Sequence, residues 1–365
     1  SYDANGDIIP NSGCGSWLLE PQSTNLVTYS SDLTQGWTES NSTVTNNQVI
    51  SPDGTLNADK LVENNSNSTH FCSGTFAGTD IETYSFSVFA KKLSGDRYLQ
   101  LSMGNNISGS IAAKFDLDNG IMVYGTTLFG SGYSVGDAKI EQYPNGWYKC
   151  SISGNKTNLA GNNHTNIQLH LNTSVLETNT YAGNGTSGIY VWGAMLEQNS
   201  YPTSYIPTQG ASSTRLQDIA NNSGNASLIN SEEGVLYAEI SAFEETNSFE
   251  SISINNNTIG DRVFMGYYSD DLYITVVNGG QAKYDVSTPI NVKQNNKIAV
   301  KYKAQDFCFY LNGFKINASV GINGGTTPIG LSKLSFDRGD GVEPFYGKTK
   351  ALAVYKTALT DASLR

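Results

Sequence analysis

Apolar and polar residues alternate along many short stretches of this chain, which is the period expected of a β-strand with one face against a core. Such stretches include Tyr84–Phe89 and Ile189–Trp192 in the first half, and Gly234–Ile240 and Lys297–Tyr302 in the second. Asn312–Gly313 falls between two apolar runs and predicts a tight hairpin turn. A helical period never persists beyond a few residues, so the pattern predicts an all-β protein.

The stretch from Gly193 to Thr208 divides the chain into two parts. Within it, Pro202 and Pro207 favour extended backbone, and a polar run follows. Strand-like segments with turn signals between them lie on both sides, so we predict two tandem antiparallel β-sandwiches, the first of the jelly-roll type. The predicted organisation is a lead-in of residues 1–22, a first module of residues 23–208, a linker of residues 209–231 and a second module of residues 232–365.

Charge narrows the choice of partners. The chain has 22 Lys and Arg against 33 Asp and Glu, which gives a formal net charge of -11. Nucleic acid and anionic membrane surfaces both select a cationic face, so we predict neither as a partner. No apolar run approaches the ~20 residues that span a bilayer, and the first residues lack the order of a signal peptide. A neutral ligand or a protein partner is expected instead.

The four cysteines are scattered along the chain and show no metal-ligand spacing: Cys14, Cys72, Cys150 and Cys308. Four cysteines allow three disulfide pairings, and spacing alone does not choose among them. A chain of 365 residues can form its own hydrophobic core without covalent links. We therefore predict free or buried thiols.

Four segments of the first module follow one another in a recognisable order: residues 17–30, 36–37, 51–55 and 58–61. Their order resembles a module of bacteriophage head-fibre, tail-fibre and spike proteins. Residues 193–215 close the same module, so the resemblance covers roughly residues 14–215. The module is also similar, more distantly, to carbohydrate-binding modules of the jelly-roll type. From Gly234 onward, predicted strands lie around residues 300–302, 310–313 and 353–355. Their order resembles a concanavalin-A-like or laminin-G-like sandwich.

The resemblance implies a non-enzymatic appendage on the virion surface. Such appendages are often homotrimers that contact other virion proteins and bind a host surface glycan or receptor. Three alternatives stay open: a secreted or cell-surface bacterial protein that binds polysaccharide, a capsule depolymerase, and a purely structural fibre. Fold resemblance alone does not choose among them.

The sequence offers little that is typical of an active site. A glycoside hydrolase needs two carboxylates at a defined separation, whereas Glu244 and Glu245 are adjacent and would point to opposite faces of a strand. A lyase would need a base beside a cation, but no arginine clusters with His164 or His170. Phosphate-binding loops and a Gly-x-Ser-x-Gly elbow are also missing from the sequence. We therefore predict no enzymatic activity.

Sugar binding requires aromatic rings that stack on pyranose faces, with amides and carboxylates nearby for the hydroxyls. Trp37 follows a glycine in a predicted loop and is one candidate ligand contact. Tyr267, Tyr268, Asp270 and Asp271 form a second candidate cluster at a predicted hairpin tip. Adjacent aromatic residues in a strand cannot both face inward, so at least one of the two tyrosines should be exposed.

Jelly-roll binding modules often hold a structural calcium through carboxylates and backbone oxygens. Asp32 and Glu197 lie near the two ends of the first module, which such folds bring together, so both are candidate calcium ligands. Residues 337–340 form another acidic loop in the second module, and their Arg-Gly-Asp tripeptide is most simply a coincidence. No other cofactor is expected.

Overall fold

The computed structural model describes most of the chain and divides it into two compact units. Among the described residues, the first unit comprises residues 22–216, and the second combines residues 15–21 with residues 217–364. Within the described residues, the elements are strands and two 3-10 turns, Pro144–Gly146 and Asp361–Ser363. No helix among them is long and apolar enough to cross a membrane. The described residues are 15–77, 82–105, 109–130, 132–157, 164–173, 179–316, 322–323 and 325–364.

The first unit contains two six-stranded antiparallel sheets, in the orders β11-β10-β9-β14-β7-β3 and β12-β13-β8-β16-β5-β4. Leu101 and Leu169 from one sheet and Phe86 from the other share one solvent-free core, so the sheets pack face to face. After β1 (Trp17–Leu19) the strands are β2 (Ser23–Asn25), β3 (Thr38–Ser40), β4 (Ser42–Ile50), β5 (Leu56–Glu63), β6 (Asn67–Ser68), β7 (His70–Ala77), β8 (Thr83–Ser94), β9 (Tyr98–Asn105), β10 (Gly109–Asp116), β11 (Ile121–Gly130), β12 (Tyr133–Gln142), β13 (Tyr148–Lys156), β14 (His164–Asn172), β15 (Tyr181–Ala182), β16 (Gly188–Glu197) and β17 (Ser213–Arg215).

The second unit repeats this architecture with sheets ordered β1-β28-β18-β23-β24-β25 and β26-β22-β21-β20-β19-β27. Leu236 and Val300 from one sheet meet Ile252 and Ile274 from the other in a separate core. The prediction of an all-β chain with two tandem antiparallel sandwiches is confirmed. The remaining strands are β18 (Glu233–Ala242), β19 (Glu250–Asn255), β20 (Arg262–Tyr268), β21 (Asp271–Asn278), β22 (Gln281–Pro289), β23 (Asn296–Lys303), β24 (Cys308–Leu311), β25 (Phe314–Lys315), β26 (Ile322–Asn323), β27 (Lys333–Ser335) and β28 (Gly347–Tyr355).

The segment that the sequence assigned to a lead-in contributes an edge strand to the second unit. Trp17 pairs with Thr349 and Leu19 with Gly347, and Leu19 packs against the second core. A strand of three residues is too short to show a period, and its partner lies more than 300 residues away. The sequence pattern therefore could not reveal this pairing.

The predicted linker is shared between the two units. Ser213–Arg215 pairs with Ser23–Asn25 in the first unit. Ser223 exchanges backbone hydrogen bonds with Leu334, and Ile229 is buried in the core of the second unit. Backbone pairing needs no apolar side chains, so a polar segment can be fully ordered without any periodic signal.

The hairpin that Asn312–Gly313 predicts joins β24 to β25. Asn312 and Gly313 have φ angles of 52° and 86°. Positive φ at both central residues is the requirement of a type I′ turn, whose twist matches that of the flanking strands. This local prediction is confirmed.

Three of the four cysteines are buried within the described residues: Cys72, Cys150 and Cys308. None of these three forms a disulfide. Burial raises the pKa of the Cys72 thiol to about 12, which keeps it protonated and unreactive at neutral pH. The fourth, Cys14, lies outside the described residues.

A buried ion pair anchors one end of the first sandwich. The Glu63 side chain is fully buried and accepts hydrogen bonds from Nε and Nη2 of Arg97, both at 2.6 Å. It also accepts bonds from the Tyr181 hydroxyl at 2.6 Å and the Asn184 amide at 2.8 Å. Burial alone would raise the pKa of Glu63, but these four donors outweigh it and hold the pKa below its usual value.

We predict that Arg97→Met lowers the free energy of unfolding of the first unit by about 3 kcal/mol, because it leaves a buried charge without its partner. The depressed pKa of Glu63 means that the ion pair contributes fully above the unfolded value of 4.5. That contribution is lost as the pH falls through the lower folded pKa, so the difference between wild type and variant should shrink in acid. Urea denaturation at several pH values measures this.

Lys139→Met is the matched control, since Lys139 and Glu141 form an ion pair of which both members are exposed. Its effect should stay below about 0.5 kcal/mol. Equal losses from both substitutions would contradict the anchoring role of Arg97.

Candidate functional site

Strand β20 of the second unit carries aromatic residues on both faces. Val263, Met265 and Tyr267 point inward and belong to the core. Because side chains alternate along a strand, Phe264 and Tyr268 lie on the outer face of the sheet. Outer faces of antiparallel sheets are usually polar, so these rings mark the surface as unusual.

Four rings gather on this outer face, and we call them the aromatic cluster: Phe249, Phe264, Tyr268 and Tyr273. The Phe249 ring is central, with its centroid 5.0 Å from that of Tyr268, 5.1 Å from that of Tyr273 and 5.9 Å from that of Phe264. Tyr268 and Tyr273 meet edge to face at 6.2 Å. Phe264 is buried, whereas the other three rings are only half-buried and offer ring surface to solvent.

Gly266 makes room for this arrangement. It lies between Phe264 and Tyr268 on the outer face and opposite Tyr273 across the ladder. A Cβ atom at Gly266 would lie 2.7 Å from Cζ of Phe264 and 3.2 Å from the Glu250 carbonyl oxygen. The tip of the Phe264 ring therefore lies against the glycine, and any larger residue there would displace it.

Carboxylates border the aromatic cluster. Tyr268 pairs with Asp271, and the tight turn between their strands has Ser269 at a φ of 54°. Asp270 is exposed at the turn, where its carbonyl oxygen accepts a bond from the Ile290 amide at 2.7 Å. Hydrogen-bond acceptors thus lie beside exposed ring surface, as recognition of sugar hydroxyls requires.

Arg262 begins the same outer-face row. Its guanidinium lies 5.3 Å from the Phe264 ring centroid, within the range of a cation–π interaction. Its Nε and Nη1 are buried and have no hydrogen-bond partner within the described part of the chain. Burial and then the nearby charge of Arg338 lower the pKa of Arg262, while Glu343 and Asp340 act in the opposite direction.

The structure separates the two adjacent tyrosines that the sequence grouped. Tyr267 is only 2% exposed, and its hydroxyl donates to the Ile240 carbonyl at 3.3 Å. It is a core residue that a ligand cannot reach, which corrects its assignment as a ligand contact. Tyr268 faces the other way, as strand geometry requires of its neighbour.

Trp37 has a packing role in the first unit. Its indole N–H donates to the Tyr29 carbonyl at 3.1 Å, and its ring packs against the hydrophobic core. The ring also lies over Gly74, where a Cβ atom would be 3.6 Å from Cδ2 of Trp37. Trp37 and the aromatic cluster belong to different units.

The two candidate calcium ligands have protein partners. Glu197 is fully buried and accepts bonds from Ser23 Oγ and Thr203 Oγ1, both at 2.6 Å, and from the Thr203 amide at 3.0 Å. Burial raises the pKa of Glu197. Asp32 accepts from Thr34 and lines a cavity of about 670 Å³.

This donor set does not fit a calcium site shared by Asp32 and Glu197. Calcium takes six to eight oxygen ligands, whereas both oxygens of Glu197 already accept bonds from protein donors. Over the ranges that the structure covers, no three His, Cys, Asp or Glu side chains are grouped to hold a metal.

A polar row crosses the outer face of one sheet of the first unit and was missed by the sequence analysis. Ladder pairing aligns five residues across neighbouring strands: Tyr124, Lys114, Gln100, His170 and Phe71. Lys114, Gln100 and His170 are 2%, 5% and 7% exposed. Burial, followed by the charge of Lys114, lowers the pKa of His170 to about 4, so the ring is neutral at pH 7.

Comparison with known proteins gives only distant likenesses. No protein-family model matches the chain, and no curated protein has a detectably similar sequence. Among solved structures, the CBM40 of Ruminococcus gnavus IT-sialidase bound to alpha2,3 sialyllactose is 17% identical with a TM-score of 0.32, covering 40% of this chain and 92% of that one.

Two further structures belong to this set. A heptameric SAP-like pentraxin from Limulus polyphemus is 15% identical with a TM-score of 0.32, covering 40% of this chain and 72% of its own. Domains LG4-5 of the mouse laminin alpha1 chain are 9% identical with a TM-score of 0.28. The match covers 93% of this chain and 91% of the laminin chain. Likenesses this distant say nothing about the ligand of this chain.

We predict that Gly266→Ala destabilises the second unit by about 1–3 kcal/mol, because the new methyl group forces the Phe264 ring from its place. Gly260→Ala is the control, since the nearest atom to its Cβ would be 3.5 Å away. Thermal unfolding of both variants checks this. Equal stability of the two would show that the Phe264 ring can move at no cost.

Proposed function

We propose that the second unit binds a glycan through the aromatic cluster. The observation that carries this proposal is the gathering of four rings on the outer face of one sheet, three of them half-buried, with carboxylates at their border. Exposed ring surface costs free energy in water, and apolar clusters rimmed by polar residues are typical of binding sites.

The chemistry of the cluster suits a pyranose. The C–H groups of one sugar face are apolar and stack on a tyrosine ring, while the hydroxyls around the edge need donors and acceptors. Asp271 lies beside Tyr268 and can accept bonds from hydroxyls.

The second unit is proposed to bind without catalysis. A hydrolase needs a carboxylic acid with a raised pKa in the sugar site. Burial raises the pKa of Glu250 to about 8, with Glu244 as the second cause. However, Glu250 has the strand parity of the core residue Ile252, so it faces away from the aromatic cluster.

For the whole chain, we propose a virion appendage that recognises a host surface glycan or receptor. The resemblance of residues 14–215 to phage fibre and spike modules supports this. A trimer present in many copies on a particle would engage several weak sites at once, and the resulting avidity would exceed the affinity of any single site. The alternative is a secreted or cell-surface bacterial polysaccharide-binding protein, which would use the same cluster.

We predict that Tyr268→Ala and Tyr273→Ala each weaken binding on a glycan array at least tenfold, because each removes a stacking ring. Ten-fold corresponds to about 1.4 kcal/mol, within the range of an aromatic contact. Phe314→Ala is the control, since Phe314 is 74% exposed on the other sheet of the same unit. Its binding should match that of the wild type.

Unchanged binding in both tyrosine variants would overturn the proposed site. Release of sugar fragments from any bound glycan would contradict binding without catalysis. Light scattering on the same sample gives the mass in solution, and a monomer would count against the trimeric appendage.

A further inference from the structure

The second unit also has a cavity. It lies on the sheet that does not carry the aromatic cluster. Its volume is about 350 Å³, within the range of small-ligand sites. The aromatic cluster lies on β20 and β21, whereas this cavity lies over β18, β23, β24 and β28. It therefore requires its own explanation.

The strand register explains why a cavity forms there. Tyr237 pairs with Ala299, and Ala299 pairs with Tyr310, so a small side chain lies between two large ones on the outer face. Tyr310 is buried at the base, Tyr237 is half-buried, and Tyr355 is exposed at the side. The short side chain of Ala299 leaves depth, and the tyrosines supply flat apolar walls.

The C-terminal turn closes one side of the cavity. Asp361 bonds to Lys315 Nζ at 2.9 Å and to Lys301 Nζ at 3.3 Å. The hydrogen bond from Lys315 is the largest of the causes that lower the pKa of Asp361 to about 2. Leu364 packs with Tyr310, so this wall is fixed by both charge and apolar contact.

Lys297 gives the cavity a charge preference. Its side chain is exposed and lines the cavity beside Asn312. Unlike Lys301 and Lys315, it has no ion-pair partner within 4 Å among the residues that the structure places. The charge of Lys297 helps to lower the pKa of Glu239, after the hydrogen bond from Lys350, which is the largest cause. However, Oε1 of Glu239 already forms an ion pair with Nζ of Lys350 at 2.9 Å.

We propose that this cavity binds one sugar residue that carries a carboxylate. The tyrosine side chains stack on the sugar ring, and the ammonium group of Lys297 forms an ion pair with the carboxylate. A site of this kind makes the second unit bivalent, with a stacking surface on one sheet and an acidic-sugar cavity on the other. The inference does not depend on the aromatic cluster, because the two sites share no residue.

The test titrates the full chain with methyl glucuronide and, separately, with methyl glucoside, and follows the backbone amide NMR signals of Ala299, Asn312 and Gly313. The glucuronide should shift these signals and bind at least fivefold more tightly than the glucoside. Lys297→Gln should abolish that preference, and Tyr237→Ala should weaken both sugars.

Two variants serve as controls. Lys283→Gln removes a half-buried lysine from the other sheet and should bind the glucuronide like the wild type. Tyr268→Ala disrupts the aromatic cluster and should also leave it unchanged, which separates this inference from the proposed function. Because Lys297 is exposed, its variant should fold normally, and a thermal unfolding curve verifies this.

Three outcomes would overturn the inference. Absence of any shift at the three amides would mean that the cavity does not bind this sugar class. Equal affinity for the two sugars would remove the role of Lys297. A glucuronide response that survives Lys297→Gln but is lost in Tyr268→Ala would place the acidic sugar on the aromatic cluster instead.

Discussion

Each unit depends on the burial of apolar side chains between two six-stranded sheets. Every fully buried Leu, Ile or Phe contributes about 1.5–3 kcal/mol, and the two cores contain many of them. Because side chains alternate along a strand, this burial also fixes which residues face outward. The outer faces of the sheets are therefore as well defined as the cores.

The candidate sites follow from that constraint. Once Val263 and Met265 enter the core, Phe264 and Tyr268 must lie on the outer face, where Tyr273 joins them through the ladder. The cavity over Ala299 has the same origin, since core packing of Ile298 and Val300 directs Ala299 outward. The side chains that would contact a ligand are thus carried by rigid strands, which preserve the geometry of a binding surface.

Local features were predictable from the sequence, and long-range ones were not. The all-β class and the Asn312–Gly313 hairpin depend on neighbouring residues, and both were found. The pairing of Trp17–Leu19 with β28 and the meeting of Phe249 with Tyr273 depend on register between distant segments. Because adjacent side chains in a strand point to opposite faces, the sequence predicted that one of Tyr267 and Tyr268 is exposed. The same pattern could not show which of the two faces the core.

A signal for the aromatic cluster was nevertheless present. Strand β20 reads Arg-Val-Phe-Met-Gly-Tyr-Tyr, with large apolar residues at both parities. A strand at the surface of a sandwich needs apolar residues on one face only, so aromatic residues on the second face indicate either a covering element or a ligand. The glycine within the run indicates a close approach, here that of the Phe264 ring.

The most direct measurement of the central claim is a crystal structure of the full chain soaked with the strongest glycan from the array. The account predicts a sugar ring stacked on Tyr268 or Tyr273, with a hydroxyl bonded to Asp271. Ordered sugar found only on the first unit, with the aromatic cluster bare, would contradict it.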